Sequence, residues 1–75
     1  MRPIAVASTT LSTVAYDADR QLLQLVFRDR TAYRYFDVPA EVYEALMHAQ
    51  SKGVYFNSSI RGRFAHVRIE MFLLS

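Results

Sequence analysis

Two neighbouring stretches decide the fold, Arg30-Thr-Ala-Tyr-Arg-Tyr-Phe-Asp-Val-Pro39 and Ala49-Gln-Ser-Lys-Gly-Val-Tyr-Phe-Asn57. The first alternates in the manner of a β-strand and ends in Pro39. Proline is favoured at the first position of a helix because its missing N–H would go unused there. In the second stretch, Ser-Lys-Gly53 predicts the end of that helix, with Gly53 as its left-handed cap. A strand followed directly by a helix is therefore the centre of the predicted domain.

Two segments before this centre have the strand period. Residues 11–16 alternate weakly and run into aspartates at 17 and 19, whose carboxylates can hydrogen-bond their own backbone in a turn. Residues 21–28 alternate clearly and have one wholly apolar face. Together with the tyrosine-rich strand at 31–36, they predict a three-stranded antiparallel meander.

The loop between the second and third predicted strands is short. Only Asp29 and Arg30 separate them, which predicts a tight hairpin. Arg30 is unfavourable wherever the turn needs a positive φ, since glycine adopts that angle without strain. The type of turn stays open.

The helix predicted to begin at Pro39 has one apolar face, formed by Val42, Ala45, Leu46 and Ala49. After it, a short helical turn near 57–60 brings Ile60 inward. From 65 to 73 apolar residues alternate with polar ones, which predicts a fourth strand, although a helix over 65–74 stays open. The predicted core consists of Leu23, Leu25, Phe27, Val42, Leu46, Ala49, Ile60, Val67 and Ile69.

The composition is that of a small folded domain. The 75 residues predict one domain, 1–75, and a hydrophobic content of 52% argues for a packed core. The chain has no cysteine, so neither disulfides nor thiolate ligands can support that core. The apolar runs are far shorter than a membrane span, and residues 1–7 lack the apolar centre of a signal peptide. We expect a cytoplasmic protein that does not enter a membrane.

The basic residues are almost all arginines. The net charge is +2, and Lys52 is the single lysine among nine basic residues. Arginine suits phosphate groups and aromatic stacking better than lysine does. A high genomic GC content would produce the same bias without functional meaning.

No group of residues indicates catalysis. With only Gly53 and Gly62, a glycine-rich phosphate loop is impossible. The two histidines, His48 and His66, lie on different predicted elements without an acidic cluster nearby. Lys52 is expected in solvent near a helix end, without a neighbouring group that would activate it as a nucleophile. We therefore expect no enzymatic activity, no cofactor and no metal.

A surface of basic and aromatic residues is the remaining candidate for function. Such residues can follow a phosphate backbone while their rings stack unpaired bases. The alternative is that the rings pack in the core and the charges keep the domain in solution, and the residues alone favour this alternative. The candidate nucleic-acid-binding residues are Tyr33, Arg34, Tyr35, Lys52, Asn57, Arg61 and Arg63.

The chain contains an ordered set of short motifs: Tyr33-x-Tyr35, Val38-Pro39, Val42-Tyr43, Ala49, Ser51-Lys52-Gly53, Tyr55-Phe56-Asn57 and Ile60-Arg61. Together they resemble the KTSC domain, which occurs at the C-terminus of some lysyl-tRNA synthetases and as a stand-alone bacterial protein. The resemblance covers about 12–64, and this sequence has Arg30-Thr31 where the family often has a glycine before the tyrosine strand. The association with synthetases implies RNA or tRNA binding.

The sequence thus predicts an α+β domain with an antiparallel sheet of three strands, a fourth C-terminal strand, one main helix across one face and a short helical turn. The predicted function is a non-catalytic module that binds RNA through basic and aromatic residues. The alternative is a protein–protein interaction module that uses a strand edge or a tyrosine-rich patch. The near-neutral net charge favours that alternative.

Overall fold

The computed structural model describes residues 1–70, which form a five-stranded antiparallel sheet with two helices on one face. Each strand lies beside the next in the sequence, so the first and last strands are the edges. The predicted α+β class and central meander are confirmed, and an N-terminal strand and a full second helix add to them. The elements are β1 (Ile4–Ala5), β2 (Leu11–Asp17), β3 (Leu22–Phe27), β4 (Ala32–Tyr35), α1 (Ala40–His48), α2 (Lys52–Ser59) and β5 (His66–Ile69).

The turn between β2 and β3 forms as its aspartates predict. Asp17 Oδ1 accepts the N–H of Asp19 at 3.1 Å and that of Arg20 at 3.3 Å. This is an Asx turn, in which a short side chain replaces a backbone acceptor. The following residue, Gln21, has a φ of 55°. Local side-chain chemistry therefore reverses the chain here.

The hairpin between β3 and β4 has three residues in its loop, not the two that the alternation predicts. Phe27 N–H donates to Thr31 O at 2.8 Å, and Arg30 N–H donates to Phe27 O at 3.0 Å. Residues 28–30 are thus the loop. Arg30 has a φ of 74°, the left-handed conformation that three-residue hairpin loops use at their last position. The positive φ that makes arginine unfavourable at this position is therefore present.

Replacing Arg30 with glycine should raise the free energy of unfolding by up to about 1 kcal/mol. Left-handed backbone costs a residue with a Cβ about 1–2 kcal/mol, and the greater freedom of glycine in the unfolded chain cancels part of the gain. Urea unfolding followed by circular dichroism measures the change. Arg20→Gly is the matched control, because Arg20 is an exposed turn residue without a positive φ. That control should be destabilised, and equal changes in both variants would contradict the strain.

The helical region contains two helices, where the sequence predicts one helix and a short turn. Pro39 is the N-cap of α1 and not its first residue. Ser51 caps α2, since its hydroxyl accepts the N–H of Val54 at 3.3 Å. The prediction that Gly53 ends a helix is therefore wrong, because Ser-Lys-Gly53 begins one. Residues 57–60 are the end of α2 and its C-cap.

Position 53 requires a glycine for a steric reason and not for its backbone conformation. The glycine with a left-handed φ, 74°, is Gly62. A Cβ on Gly53 would lie 3.0 Å from the Cβ of Thr10 and closer still to its hydroxyl. The missing side chain therefore lets the start of α2 lie directly against the segment that enters β2.

The core lies between the sheet and the two helices. Four predicted core residues are fully buried: Leu23, Leu25, Leu46 and Ile60. Four others are only partly buried: Phe27, Val42, Ala49 and Ile69. The core also contains residues that the sequence analysis did not predict to be buried, including Leu11, Val14, Tyr35, Val38 and Phe56.

Two predictions about buried faces are wrong. Val67 is 49% exposed, because β5 pairs it with Arg34 on the face that the helices do not cover. Ala45 is exposed as well, because α1 contacts the core through a narrow stripe centred on Leu46. The part of the predicted last strand beyond residue 70 lies outside the described residues.

Tyr16 joins the sheet to the start of α1. Its ring stacks on Tyr43 with centroids 4.6 Å apart and planes 8° from parallel. Its Oη donates to Val38 O at 2.6 Å. Burial, and after it the charges of Glu41 and Asp17, raise the pKa of Tyr16.

The Tyr16→Phe variant should lose about 1 kcal/mol at neutral pH, since the Val38 carbonyl loses its donor. In the wild type, the unfolded chain releases the Tyr16 proton before the folded one does. The stability from Tyr16 is therefore complete below about pH 10 and is lost as the pH rises through the folded-state pKa. Urea unfolding at neutral pH and near pH ~10.5 should show a smaller alkaline loss in the variant. An alkaline loss equal to that of the wild type would contradict this role.

Candidate functional site

The register of the sheet divides the side chains of β4 between two faces. Tyr33 and Tyr35 point toward the helices, and Arg34 points away from them. In β5, Arg68 lies opposite Tyr33 and His66 lies opposite Tyr35. Directly opposite residues of an antiparallel pair share a face. Both tyrosines are thus on the covered side of the sheet, next to a histidine and an arginine.

A cavity of about 550 Å³ lies where α2 leaves part of this face uncovered. We call it the aromatic cavity. Its walls come from the end of β3, the hairpin, β4, one side of α2 and the start of β5. The lining residues are Thr10, Phe27, Asp29, Thr31, Tyr33, Tyr35, Phe56, Asn57, Arg61, Gly62 and His66.

Aromatic rings in mutual contact form the apolar wall of the cavity. Phe27 lies edge-on to Tyr33 at a centroid distance of 6.1 Å and to Phe56 at 5.1 Å. His66 lies 5.7 Å from the ring of Tyr33 and 5.3 Å from that of Tyr35. Three of these four contacts are edge-to-face, the fourth, between His66 and Tyr35, is tilted by 35°, and together they hold the rings in place. The wall is therefore already ordered before any ligand arrives.

The two tyrosines of β4 differ in exposure. Tyr35 is only 4% exposed, and burial raises the pKa of its hydroxyl, with the nearby Tyr33 adding to the effect. Tyr33 is partly exposed. The prediction of two tyrosines as a stacking platform is therefore corrected, since Tyr35 is a core residue that supports the wall. Tyr33 and the exposed His66 present ring surface to the cavity.

Asp29 carries the negative charge on the hairpin side of the cavity. Thr31 donates to Asp29 Oδ1 twice, from its backbone N–H at 3.0 Å and from its hydroxyl at 2.6 Å. These hydrogen bonds, with a further contribution from the Arg68 charge, lower the pKa of Asp29. The carboxylate is therefore ionised at neutral pH and held in one orientation.

Arg61 carries the positive charge on the helix side. It follows the C-cap of α2, and its Nη1 donates to Asn57 Oδ1 at 3.4 Å. Its charge acts on Tyr35, where it opposes the rise in pKa that burial causes. The guanidinium group is therefore near the aromatic wall and free of carboxylate partners among residues 1–70.

The structure brings four of the seven candidate residues to the aromatic cavity: Tyr33, Tyr35, Asn57 and Arg61. Arg34 lies on the opposite face, where its Nη2 donates to Gln24 Oε1 at 2.8 Å. Lys52 and Arg63 do not line the cavity either. The predicted set of seven is thus not one surface.

Lys52 has a structural task. Its Nζ donates to Met47 O at 3.1 Å and to Ala49 O at 3.4 Å. These carbonyls belong to the end of α1, where a helix has acceptors without intrahelical partners. Lys52 therefore satisfies the end of one helix from the first position of the next.

Three residues of the cavity, His66, Asp29 and Thr31, are not among the seven candidate binding residues, and a register argument locates them only when the strand pairing is known. Alternation in β5 puts His66 on the same face as Tyr35, once the pairing of β5 with β4 is known. Asp29 lies in the hairpin loop and Thr31 directly follows that loop, where β3 and β4 end at this cavity. Periodicity supplies the alternation but not the pairing, so the signal is incomplete without the fold.

Charge is divided between the two ends of the sheet. Val38 N–H donates to Gln21 O at 2.9 Å, which places the start of α1 beside the β2–β3 turn. That end carries the carboxylates of Asp17, Asp19, Asp37 and Glu41. The other end, with the aromatic cavity, carries the arginines Arg28, Arg30, Arg61 and Arg68. Arg20 lies at the first end and Asp29 at the second, so carboxylates predominate at one end and arginines at the other without complete separation.

Neither a metal cluster nor a membrane helix is found in the part of the chain that the structure describes. No group of three or more histidine, aspartate or glutamate side chains there could hold a metal ion. Neither α1 nor α2 is long and apolar enough to cross a bilayer.

Comparison with known proteins gives one consistent family. The family model for the KTSC domain matches residues 7–64. The crystal structure of a KTSC domain protein from Yersinia pestis has a TM-score of 0.89 to this chain at 32% identity. That match covers 92% of this chain and 97% of the other. The similarity therefore extends over almost the whole of both.

Similar sequences occur alone and within a larger enzyme. An uncharacterized protein of Stutzerimonas stutzeri is 40% identical over 57 residues, which are 76% of this chain and 80% of that protein. Lysine–tRNA ligase of Trichormus variabilis is 39% identical over 54 residues, which are 72% of this chain and 10% of the ligase. The same small domain is thus similar to a nearly complete protein and to a minor segment of a long one.

Proposed function

The chain belongs to the KTSC domain family, and from that premise we propose that it is a small non-catalytic module that binds RNA at the aromatic cavity. The ligand would be a single-stranded RNA or tRNA of the cytoplasm. The observation that carries the proposal is the convergence of Tyr33, His66 and Arg61 on one opening. Rings can stack unpaired bases there while the guanidinium group contacts a phosphate.

The relatives support this choice of ligand. By their name, the lysine–tRNA ligases of Trichormus variabilis and Nostoc punctiforme act on tRNA, and a segment like this chain makes up 10% of each. A compact RNA-contacting module is a natural addition to a protein that must hold tRNA.

The division of charge also supports it. A net charge of +2 is weak for a nucleic-acid-binding protein if the charges are evenly spread. Here Arg30 and Arg68 lie toward the cavity end, and Asp17 and Asp19 lie at the far end together with Arg20. Arg61 lines the cavity together with the carboxylate of Asp29, so the opening offers one positive and one negative group, with further arginines nearby.

Titration of the isotope-labelled protein with short single-stranded RNA and with tRNA tests the proposal by NMR. We expect amide shifts at Tyr33, Asn57 and residues 61–66, and none in the acidic turn at 17–21. The affinity should fall about tenfold between about 50 mM and about 200 mM salt, as expected when two or three phosphate contacts release counterions.

The Arg61→Gln variant should weaken binding about fivefold, because one phosphate contact is lost. Arg20→Gln is the matched control, since it removes the same charge from the acidic end and should leave the affinity unchanged. Binding that is insensitive to salt, or that falls equally in both variants, would refute a cavity-centred RNA site.

Protein binding at a sheet edge is the second candidate. It is favoured by Ile4 of β1 and Val67 of β5, which are 45% and 49% exposed on the two edge strands. Edge strands can pair with a strand of another chain. Co-purification from lysate after nuclease treatment separates the two functions, since a partner that survives the nuclease is bound as protein.

A further inference from the structure

The aromatic cavity has the size for a single nucleotide. Its volume of about 550 Å³ lies in the range of about 300–1,000 Å³ that is usual for pockets that bind small molecules. Phe27 is nearly perpendicular to Tyr33, at 84°, and to Phe56, at 71°. The wall is therefore held by its own contacts, and a planar base can stack on it without a prior rearrangement.

On the hairpin side of this cavity, the carboxylate of Asp29 is the group that can accept hydrogen bonds from a ligand. Both donors of Thr31 end on Oδ1 of Asp29, at 3.0 Å and 2.6 Å. Oδ2 is therefore the oxygen left to accept from a ligand. An ionised carboxylate has no proton to donate. The cavity accordingly favours a ligand that presents N–H groups on the side of Asp29.

A carboxylate at this position can distinguish the four bases by the donors and acceptors on their edges. Adenine, cytosine and guanine each carry an exocyclic amino group, which donates N–H to a carboxylate. Uracil has no amino group, and its N3–H lies between two carbonyl oxygens, so donation from N3–H brings an acceptor close to the negative charge of Asp29. A ligand acceptor that meets a fixed carboxylate is repelled and cannot be satisfied by it.

The other side of the cavity suits the phosphate of the same nucleotide. Arg61 and Gly62 line it there, and a Cβ at Gly62 would meet no atom within 4 Å. The backbone is thus open to close approach next to a guanidinium group. One nucleotide can therefore contact Asp29 through its base and Arg61 through its phosphate.

We propose that the aromatic cavity binds one unstacked nucleotide whose base carries an exocyclic amino group, and that Asp29 disfavours uracil. The inference rests on the RNA-binding function proposed above and adds the base preference of its site. Asp29 contacts the amino N–H, the ring of Tyr33 stacks on the base, and Arg61 binds the phosphate. The ring of His66 is inclined by 68° to that of Tyr33 and borders the edge of the stacked base.

Binding of three RNA hexamers tests the proposal: oligo-A, oligo-C and oligo-U of equal length, each followed by NMR at one salt concentration. We expect oligo-A and oligo-C to bind about tenfold more tightly than oligo-U, in line with the discrimination that one well-placed base contact provides. The shifts should centre on Asp29, Tyr33 and His66.

Two variants separate the role of Asp29 in base selection from the general effect of its negative charge on RNA affinity. Asp29→Asn keeps the shape and offers a donor as well as an acceptor, so the ratio of affinities should fall to within about twofold. Asp19→Asn removes a carboxylate from the acidic end and should keep the wild-type ratio. Because the ratio compares two RNAs on one protein, a general gain in affinity from the lost charge cancels.

The outcomes distinguish this proposal from the RNA-binding function. Equal affinity for the three hexamers, with shifts at the cavity, would overturn the base preference and leave RNA binding intact. A preference for amino-bearing bases that persists in Asp29→Asn would overturn the role of Asp29. No binding of any hexamer at millimolar concentration would overturn both.

Discussion

We expect the Phe56→Ala variant to lose about 3 kcal/mol of its free energy of unfolding, the lower end of the range of about 3–5 kcal/mol for removal of a buried phenylalanine. Phe56 is 7% exposed and joins α2 to the sheet through Phe27, at 5.1 Å, and Tyr35, at 6.0 Å. One side of the ring borders the aromatic cavity, so the truncation enlarges an existing space. That is why the lower end applies.

A loss of this size is a large part of the whole for a domain of 75 residues, for which about 4–11 kcal/mol is typical. Urea unfolding followed by circular dichroism measures it. The control is Val54→Ala in the same helix, where the side chain is 67% exposed and the change should stay within about 0.5 kcal/mol. If the two variants were equally stable, α2 would not be held by Phe56.

The second large effect concerns Gly53. Gly53→Ala should destabilise the domain by about 1–2 kcal/mol. The overlap with Thr10 costs about 1–3 kcal/mol, and the better helix propensity of alanine returns up to about 1 kcal/mol. Urea unfolding of the variant measures the net change.

A double-mutant cycle with Thr10→Gly identifies the cause. Removal of the Thr10 side chain makes room for the new methyl group, so Gly53→Ala should be harmless or stabilising in that background. The coupling between the two substitutions should be about 1–2 kcal/mol. If Gly53 were instead a left-handed cap, the loss would persist without Thr10, because backbone strain does not depend on a neighbour.

Much of the meander can be predicted from local sequence. Alternation marks β2, β3 and β4 because side chains of a strand point to opposite faces in turn. The turn at Asp17 follows from hydrogen bonds between a carboxylate and amides two and three residues away. Such features need no information from distant parts of the chain.

In the helical region, local sequence alone does not determine where the helices begin and end. Ser51, Lys52 and Gly53 are compatible with either end of a helix, since a serine caps a start and a glycine often follows a stop. Contact with Thr10 decides between them, because α2 must begin where the backbones can approach closely. That contact joins residues far apart in the sequence.

The candidate site divides in the same manner. The sequence by itself determined the α+β class, the tyrosine strand and the family, because periodicity, turn chemistry and motif order are properties of neighbouring residues. The tertiary structure decided which residues of the candidate set meet. Pairing of β5 with β4 brings His66 to Tyr35, and the position of α2 brings Arg61 to the same cavity as Asp29. It also buries Tyr35 and leaves Tyr33 accessible, because burial depends on what covers a face and alternation specifies only the face.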